Sequence, residues 1–223
     1  MRVIGLLAGN AVVDLVIGHG EHPDTTLYRA GWIAERPVEA RCCDGDVVVT
    51  LEVRPVSPID TPPADRMVVY EEPGTDEVPV IRQRIGAYGI VLSERGLLGT
   101  VLSRITGAPG AWNLPGGGLN ADEEPMAGLL REIHEETGQE VVAGQLLALQ
   151  SDHWIGRAPN GGLEDYHALR IIYSATCEKP SRPRVHDLGG STARADWVPV
   201  KSWRKLPWTR AARQVLSQHL PSR

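Results

Sequence analysis

The sequence predicts an α/β sandwich built on a mixed sheet, with a β-rich extension in front of it. Short β-branched runs punctuated by Gly, Pro and Asp recur along the chain, a strongly periodic helix lies over 122–138, and a second amphipathic helix closes the sequence. Strands and helices intermixed in this way pack as layers of helix on sheet.

Taken in order, Met1 to Ile17 reads as one buried strand. Asp14 interrupts its apolar run and no small-residue cleavage site follows, so it is not a signal peptide. Nowhere does an apolar run approach the ~18 residues a membrane span needs. His19, Glu21, His22 and Asp24 then fall in a turn-rich loop, where polar residues are ordinarily solvated. Trp32 to Cys43 and Asp46 to Val53 form a hairpin about the turn signal Asp44-Gly45. From Pro55 to Pro79 prolines and acids recur, with a short strand candidate at Met67 to Tyr70, which marks a linker or surface excursion. A boundary near residue 80 gives an N-terminal extension, 1–80, and a second domain, 81–223. Ile85 to Ser93 and Leu97 to Ser103 are strands joined at Glu94-Arg95-Gly96, and a Gly/Pro loop runs from Thr106 to Gly118.

The central helix has Asp122 as a candidate N-cap, Glu123 and Glu124 at the positive end of its dipole, Pro125 in its first turn and Gly138 as its stop. Met126, Leu129, Leu130 and Ile133 supply the core-facing stripe. Strands follow at Val141 to Gln150, Tyr166 to Cys177 and Ala195 to Val200, with a loop at Gly156 to Gly162. In the last helix Pro207 suits the first turn, and Ala211, Ala212, Val215, Leu216 and Leu220 form the apolar face.

Composition excludes several classes. An apolar fraction of 42% and a charged fraction of 23% are those of a globular protein. The net charge of −5 argues against broad nucleic-acid binding, so a phosphate-rich partner has to be met by local groups or a cation. Cys42, Cys43 and Cys177 have neither zinc-finger spacing nor the pattern of a disulfide framework, which favours a reducing, cytoplasmic setting.

Chemistry concentrates in Leu114 to Glu140, LPGGGLNADEEPMAGLLREIHEETGQE. Glu132, Glu135 and Glu136 stand at i, i+3 and i+4 and crowd one helix face. Like charges at that spacing cost a few tenths of a kcal/mol per pair, roughly, as a solvated acidic face would. A hard divalent cation reverses the sign, because carboxylate oxygens are its preferred ligands. Gly116, Gly117 and Gly118 lie just upstream, where backbone can approach a phosphate closely. An acidic metal patch beside such a glycine run suits phosphoryl chemistry.

This stretch resembles the Nudix box, G-x(5)-E-x(7)-R-E-U-x-E-E-x-G-U with U a bulky aliphatic. Gly117, Glu123, Arg131, Glu132, Ile133, Glu135, Glu136 and Gly138 match, and Gln139 stands where the last aliphatic belongs, which puts local packing there in question. Trp112-Asn113-Leu114-Pro115 also resembles the usual entry to the box. The resemblance implies a Nudix-type α/β/α sandwich over roughly 82–223 and leaves 1–80 unexplained. It implies Glu132, Glu135, Glu136 and the Gly116 carbonyl as ligands of Mg²⁺ or Mn²⁺. Arg131 would orient the acids, Glu123 would hold the loop-helix-loop, and Glu135 or Glu136 would act as general base. The implied reaction is attack of water on phosphorus in a nucleoside di- or triphosphate derivative, a small-molecule substrate.

Outside the box, Glu164, Asp165, Glu178, Asp187 and Asp196 are candidates for a further acid. His153 and Trp154 could contact a base or ribose, against the plainer reading of a packed Trp beside an exposed His. His167 and Arg170 point to opposite faces of one strand; an ion pair is the default for Arg170, and Trp112 reads as core. Trp154, Ile155 and Gly156 occupy the neighbourhood where some subgroups carry Pro or Tyr, which argues against an ADP-ribose or dinucleoside-polyphosphate preference. A MutT-like triphosphate-cleaning role stays open. The main rival is a non-catalytic Nudix-fold nucleotide sensor, but sensors commonly lose box acids and this box keeps them. An isomerase of isoprenoid diphosphates would need Cys177 near the site. Residues 1–80 are read as structural or as a homodimer element, without a second catalytic site.

Overall fold

A computed structural model describes residues 1–64, 67–74 and 77–221. Its elements in chain order are β1 (Arg2–Leu7), β2 (Asn10–Val16), α1 (Pro23–Arg29), β3 (Trp32–Cys43), β4 (Asp46–Pro55), β5 (Met67–Val69), β6 (Val80–Ser93) and β7 (Gly96–Leu102). There follow β8 (Trp112–Asn113), β9 (Gly116–Gly118), α2 (Pro125–Thr137), β10 (Val142–Arg157), β11 (Leu163–Thr176), β12 (Thr192–Val198), a short 3-10 helix (Val200–Lys205) and α3 (Arg210–His219). The fold is mixed α/β, and the N-terminal sheet is an added β-rich region. Two compact units divide the residues: Met1–Ile85 with Leu119–Pro125 and Leu146–Ile171, and Gly86–Gly118 with Met126–Gln145 and Ile172–Arg223.

The first unit carries a four-stranded sheet in the order β2-β1-β4-β3. β1 and β4 run parallel, and the outer pairs are antiparallel. Both hairpins close on two residues of positive φ, Ala8-Gly9 and Asp44-Gly45, the geometry that matches strand twist. Asp44-Gly45 announces itself in the sequence. Ala8 does not, so the single strand expected over Met1 to Ile17 is in fact a hairpin whose β2 arm is largely exposed. A second correction is α1, which forms where a polar loop was expected: Pro23 presets φ at the first helical position, and the His22 ring accepts from the Asp24 N–H at 3.2 Å. Val3, Leu27, Val49, Leu51 and Val53 form its core. The strand candidate at Met67 exists, as β5 paired parallel to β10 through Met67↔His153. Asp65, Arg66, Thr75 and Asp76 of the acid- and proline-rich stretch lie outside the described residues.

Arg54 and Asp60 tie the turn after β4. The guanidinium donates twice to the carboxylate at 2.7 Å, the Ser57 N–H donates at 2.7 Å, and the Tyr28 hydroxyl donates to the Asp60 carbonyl. These bonds, those from Arg54 foremost, hold the Asp60 carboxyl well below the usual range.

The second sheet has the strand order β12-β7-β6-β11-β10-β5, with β8 against β7 and β9 against β6. β12, β7 and β6 are antiparallel neighbours. Helix α2 packs on β6 at Gly89, where an added Cβ would meet Ile133 Cδ1 at 3.3 Å and Leu129 Cδ1 at 3.4 Å. Leu129 and Ile133 are fully buried there, each worth roughly 1.5–3 kcal/mol of hydrophobic stabilisation. The loop expected over 106–118 contains β8 and β9. Trp112 is core, packed on Trp208, and Thr209 caps α3 by accepting from the Ala212 N–H, so Pro207 precedes that helix.

The start of α2 corrects the sequence reading. Asp122 has φ +58 and lies three residues before the helix, which begins at Pro125, so neither Asp122 nor Glu123 belongs to its first turn. Pro125 forces the residue before it out of helical geometry, which sets the start later than the acidic run suggests. Gly138 does end the helix, with φ +65 and its N–H on the His134 carbonyl at 2.8 Å. Gln139, out of pattern in the box, is buried and satisfied. Its amide donates to the Thr137 carbonyl and Ser181 Oγ, and its oxygen accepts the Ser181 N–H at 2.9 Å.

Two outcomes test these clamps. Gln139→Leu restores the family's residue type, yet it should destabilise the protein by about 1–3 kcal/mol in denaturant unfolding, since the Ser181 N–H and Thr137 carbonyl lose their buried partner. Asp60→Asn should lower the melting temperature at neutral pH. A depressed carboxyl contributes stability above its unfolded value and loses it as pH falls, so the gap to wild type should hold steady from neutral pH down to about 4 and close below it.

Candidate functional site

Strand β9 places three glycines against β6, with Gly86↔Gly118, Ala87↔Gly117 and Tyr88↔Gly116 as register pairs. One of these glycines is sterically required, and a second leaves room for an acid. Gly116 has φ +134, and a Cβ there would lie 2.2 Å from the Ala87 carbonyl oxygen. At Gly117 a Cβ would fall 2.4 Å from the carboxylate of Glu132. The Glu132 carboxylate thus occupies the space a side chain at 117 would take.

The three glutamates differ in environment. Glu135 is the most open, with 43% of its side chain exposed, whereas Glu132 keeps 16%. The Arg131 guanidinium joins them, its Nη1 donating to Glu132 at 2.8 Å and to Glu135 at 3.2 Å, while Nη2 donates to the Gly118 carbonyl at 3.2 Å. One cation therefore links two acids of α2 to β9. Glu136 lies behind them, buried. Its Oε2 accepts the Gly116 N–H at 3.0 Å, and its Oε1 accepts from the Thr192 and Ser191 hydroxyls. Burial pushes its carboxyl up to about 7, against the pull of the Thr192 and Gly116 bonds, and the neighbouring Glu132 adds to the rise.

Elsewhere, Glu123 accepts the Asn120 N–H at 2.8 Å in the turn before α2. Asp187 lies on a loop held to α2: the His186 and Asp187 N–H groups both donate to the Glu135 carbonyl. Asp196 pairs with Arg194 on β12, and Glu178 is exposed. Glu164 and Asp165 belong to the first unit, where Glu164 pairs with Arg82 and Asp165 with His19 and His153. Arg170 pairs with Asp152, and Trp154 stacks on Tyr166. Ser191 and Thr192 went unseen in the sequence: they lie more than fifty residues beyond Glu136, and a hydroxyl pair carries no spacing signal.

A cleft of about 310 Å³ opens beside this group, lined by Ser103, Arg104, Asp187, Gly189, Gly190 and Thr192 among others. Thr192 is common to the cleft and to the Glu136 hydrogen bonds. By donor type three carboxylates suit a hard divalent cation, and the buried Glu136 retains lone pairs beyond those its three donors use. Their oxygens do not all lie within 4.8 Å of one another, however, and would have to draw together around an ion.

The chain is similar to Nudix hydrolase 6 of Arabidopsis thaliana, 26% identical over 129 residues, which covers 56% of this chain and 42% of that protein. It is also similar to an RNA pyrophosphohydrolase of Brucella anthropi, 31% identical over 109 residues, covering 45% of this chain and 62% of that one. The chain thus spans roughly half the length of these relatives. Among solved structures, a MutT NUDIX hydrolase from Burkholderia pseudomallei aligns with 62% of this chain and 98% of its own at 25% identity and a TM-score of 0.46. The family model of the NUDIX domain matches residues 82–219, more than half of the chain, and the chain belongs to that family.

Proposed function

We propose that the protein is a metal-dependent hydrolase that cleaves a phosphoanhydride bond in a nucleoside di- or triphosphate derivative, with Mg²⁺ as its ion and Mn²⁺ as a substitute. The observation that carries this reading is the Arg131 guanidinium shared by Glu132 and Glu135 against a glycine strand, with Glu136 buried behind. Relatives named as hydrolases and pyrophosphohydrolases support the reaction class. Residues 81–223 form the catalytic part and 1–80 an extension, a division that the family match over 82–219 supports.

Glu132, Glu135, Glu136 and the Gly116 carbonyl would hold the ion. When bound, it would supply a water of lowered pKa, neutralise phosphate charge and stabilise the leaving oxygen. Arg131 bridges Glu132 and Glu135 and so orients both carboxylates toward one cation. Glu135 is exposed enough to receive a proton from an attacking water at a carboxylate oxygen, whereas Glu136 is closed off by Thr192 and Gly116. The open side of Gly117 is taken by the Glu132 carboxylate, so phosphate oxygens would approach Gly116, Gly117 and Gly118 by way of the ion these acids hold. The cleft beside Thr192 is large enough for part of a nucleotide, and Arg104 on its wall offers a guanidinium to phosphate. The three unbridged cysteines suit a cytoplasmic setting.

A nucleotide panel with Mg²⁺, scored for phosphate and pyrophosphate release, tests the reaction; full turnover in excess EDTA would rule out the metal dependence. Glu136→Gln keeps shape and removes a buried charge. Without metal it should melt at or above the wild-type temperature, and it should gain less from added Mg²⁺. Its turnover should fall by at least about 100-fold, the upper range for losing even an outer partner of a metal ligand. An unchanged rate with an unchanged Mg²⁺ shift would remove Glu136 from the site. Arg104→Ala should raise KM several-fold and leave kcat near wild type; a matching fall in kcat would place Arg104 in the chemical step instead.

A further inference from the structure

The first unit brings together residues that the chain keeps far apart. His19 follows β2, His153 lies on β10 and Asp165 on β11, and their ligating atoms all lie within 4.8 Å of one another. Asp165 Oδ1 is 2.8 Å from His19 Nε2 and 2.5 Å from His153 Nε2. The two rings meet edge to face, with centroids 5.2 Å apart. We propose that His19, His153 and Asp165 form a second metal site, selective for Zn²⁺ and like transition ions, which fastens the loop at His19 to the β10–β11 hairpin.

The donor chemistry makes the choice of ion. Two imidazoles and one carboxylate suit Zn²⁺ and Co²⁺, where Mg²⁺ prefers oxygen alone. Three protein ligands leave a fourth position for water. The side chains keep 23%, 16% and 24% of their surface, so an ion can enter without unfolding the hairpin. His19 Nδ1 is buried with no hydrogen-bond partner among the described residues, so in the ion-free protein the ring proton lies on Nε2 and is donated to Asp165. An ion would displace that proton and take the Nε2 lone pair, so uptake would release protons and weaken at low pH.

The surroundings position the loop and the rings, and the two Nε2–Oδ1 hydrogen bonds would open to about 3.3 Å to admit a tetrahedral ion. His167, fully buried, accepts the Gly20 N–H on Nδ1 at 3.1 Å, and its Nε2 lies 2.9 Å from Ser151 Oγ. Both its nitrogens are committed, so it positions the loop and stays out of the ligand set. Gly20 has φ +75, and a Cβ there would lie 2.8 Å from His153 Cε1, so the loop reaches the ring only because this residue is glycine. Gly18 is held as well, its N–H on the Glu21 carboxylate at 2.8 Å. An ion at this point would link residues 134 positions apart in the chain, from 19 to 153.

The full chain, stripped with EDTA and desalted, would be titrated with Co²⁺ in saturating Mg²⁺, which occupies all-oxygen sites. One equivalent should give visible d–d bands well above those of the aqueous ion, and one equivalent of Zn²⁺ should displace them. Zn²⁺ should also raise the melting temperature in the same buffer. His19→Gln and Asp165→Asn should each abolish the bands and the zinc shift, and Glu132→Gln should keep both. Because His19 lies on a loop, its variant keeps the test open if the Asp165 variant misfolds. A wild-type protein showing only the aqueous Co²⁺ spectrum, or bands that survive in His19→Gln, would overturn the site and leave a hydrogen-bonded His-Asp-His cluster.

Discussion

The approach of β9 to α2 is the constraint on which the rest of the candidate site depends. A glycine run is usually read as flexible, but here it is a strand, paired residue by residue with β6. Its function is to omit side chains where carboxylates must lie. Gly117 yields its Cβ position to Glu132, Gly116 gives its N–H to Glu136, and Gly118 gives its carbonyl to Arg131. These contacts turn a helix face of like charges into a fixed constellation. The position of α2 is itself set by Gly89, which lets Leu129 and Ile133 sit directly on β6. Backbone without side chains governs both the depth of the helix and the reach of its acids.

The electrostatics follow from that depth. On an open helix the three glutamates would repel one another by a few tenths of a kcal/mol per pair, roughly, and scatter into solvent. Here Arg131 offsets the repulsion between Glu132 and Glu135, while Glu136 is buried behind them. That group is held by hydroxyls and one N–H, neutral donors that only partly replace water around a charge, which is why burial dominates its titration. A buried carboxyl titrating near neutrality costs stability when charged, and such a cost is commonly retained for function.

Much of this was legible in the sequence. The i, i+3, i+4 acids and the Gly138 stop fix α2 and its polar face, because helical periodicity is a local property. Of the expected core stripe, however, only Leu129 and Ile133 are buried, while Met126 and Leu130 are exposed. Fixed spacing within one helix also gave the family. What the sequence hid is non-local or conformational. Ala8 adopts a positive φ usually left to Gly or Asn, so the first hairpin passed for one strand. The acids before Pro125 looked like a first helical turn, but the proline delays the helix past them. Gln139 looked like a packing defect because its partner Ser181 is 42 residues away. His19, read among solvated loop residues, gains meaning only once β10 and β11 bring His153 and Asp165 to it.

The two proposed sites differ in donor softness, and that difference bears on how one chain could keep two ions apart. In the second unit every candidate ligand is oxygen, and the flanking donors, Thr192, Ser191 and Gly116, offer no soft atom. In the first unit two imidazoles dominate a single carboxylate. Transition ions bind most N and O sites more tightly than Mg²⁺ does, so affinity alone would let zinc invade the carboxylates. A nitrogen-rich site elsewhere on the chain would take up trace zinc first, while Mg²⁺, far more abundant in cells, would hold the oxygen site by mass action. Ligand type and ion abundance, without any contact between the two sites, would then suffice to sort the metals.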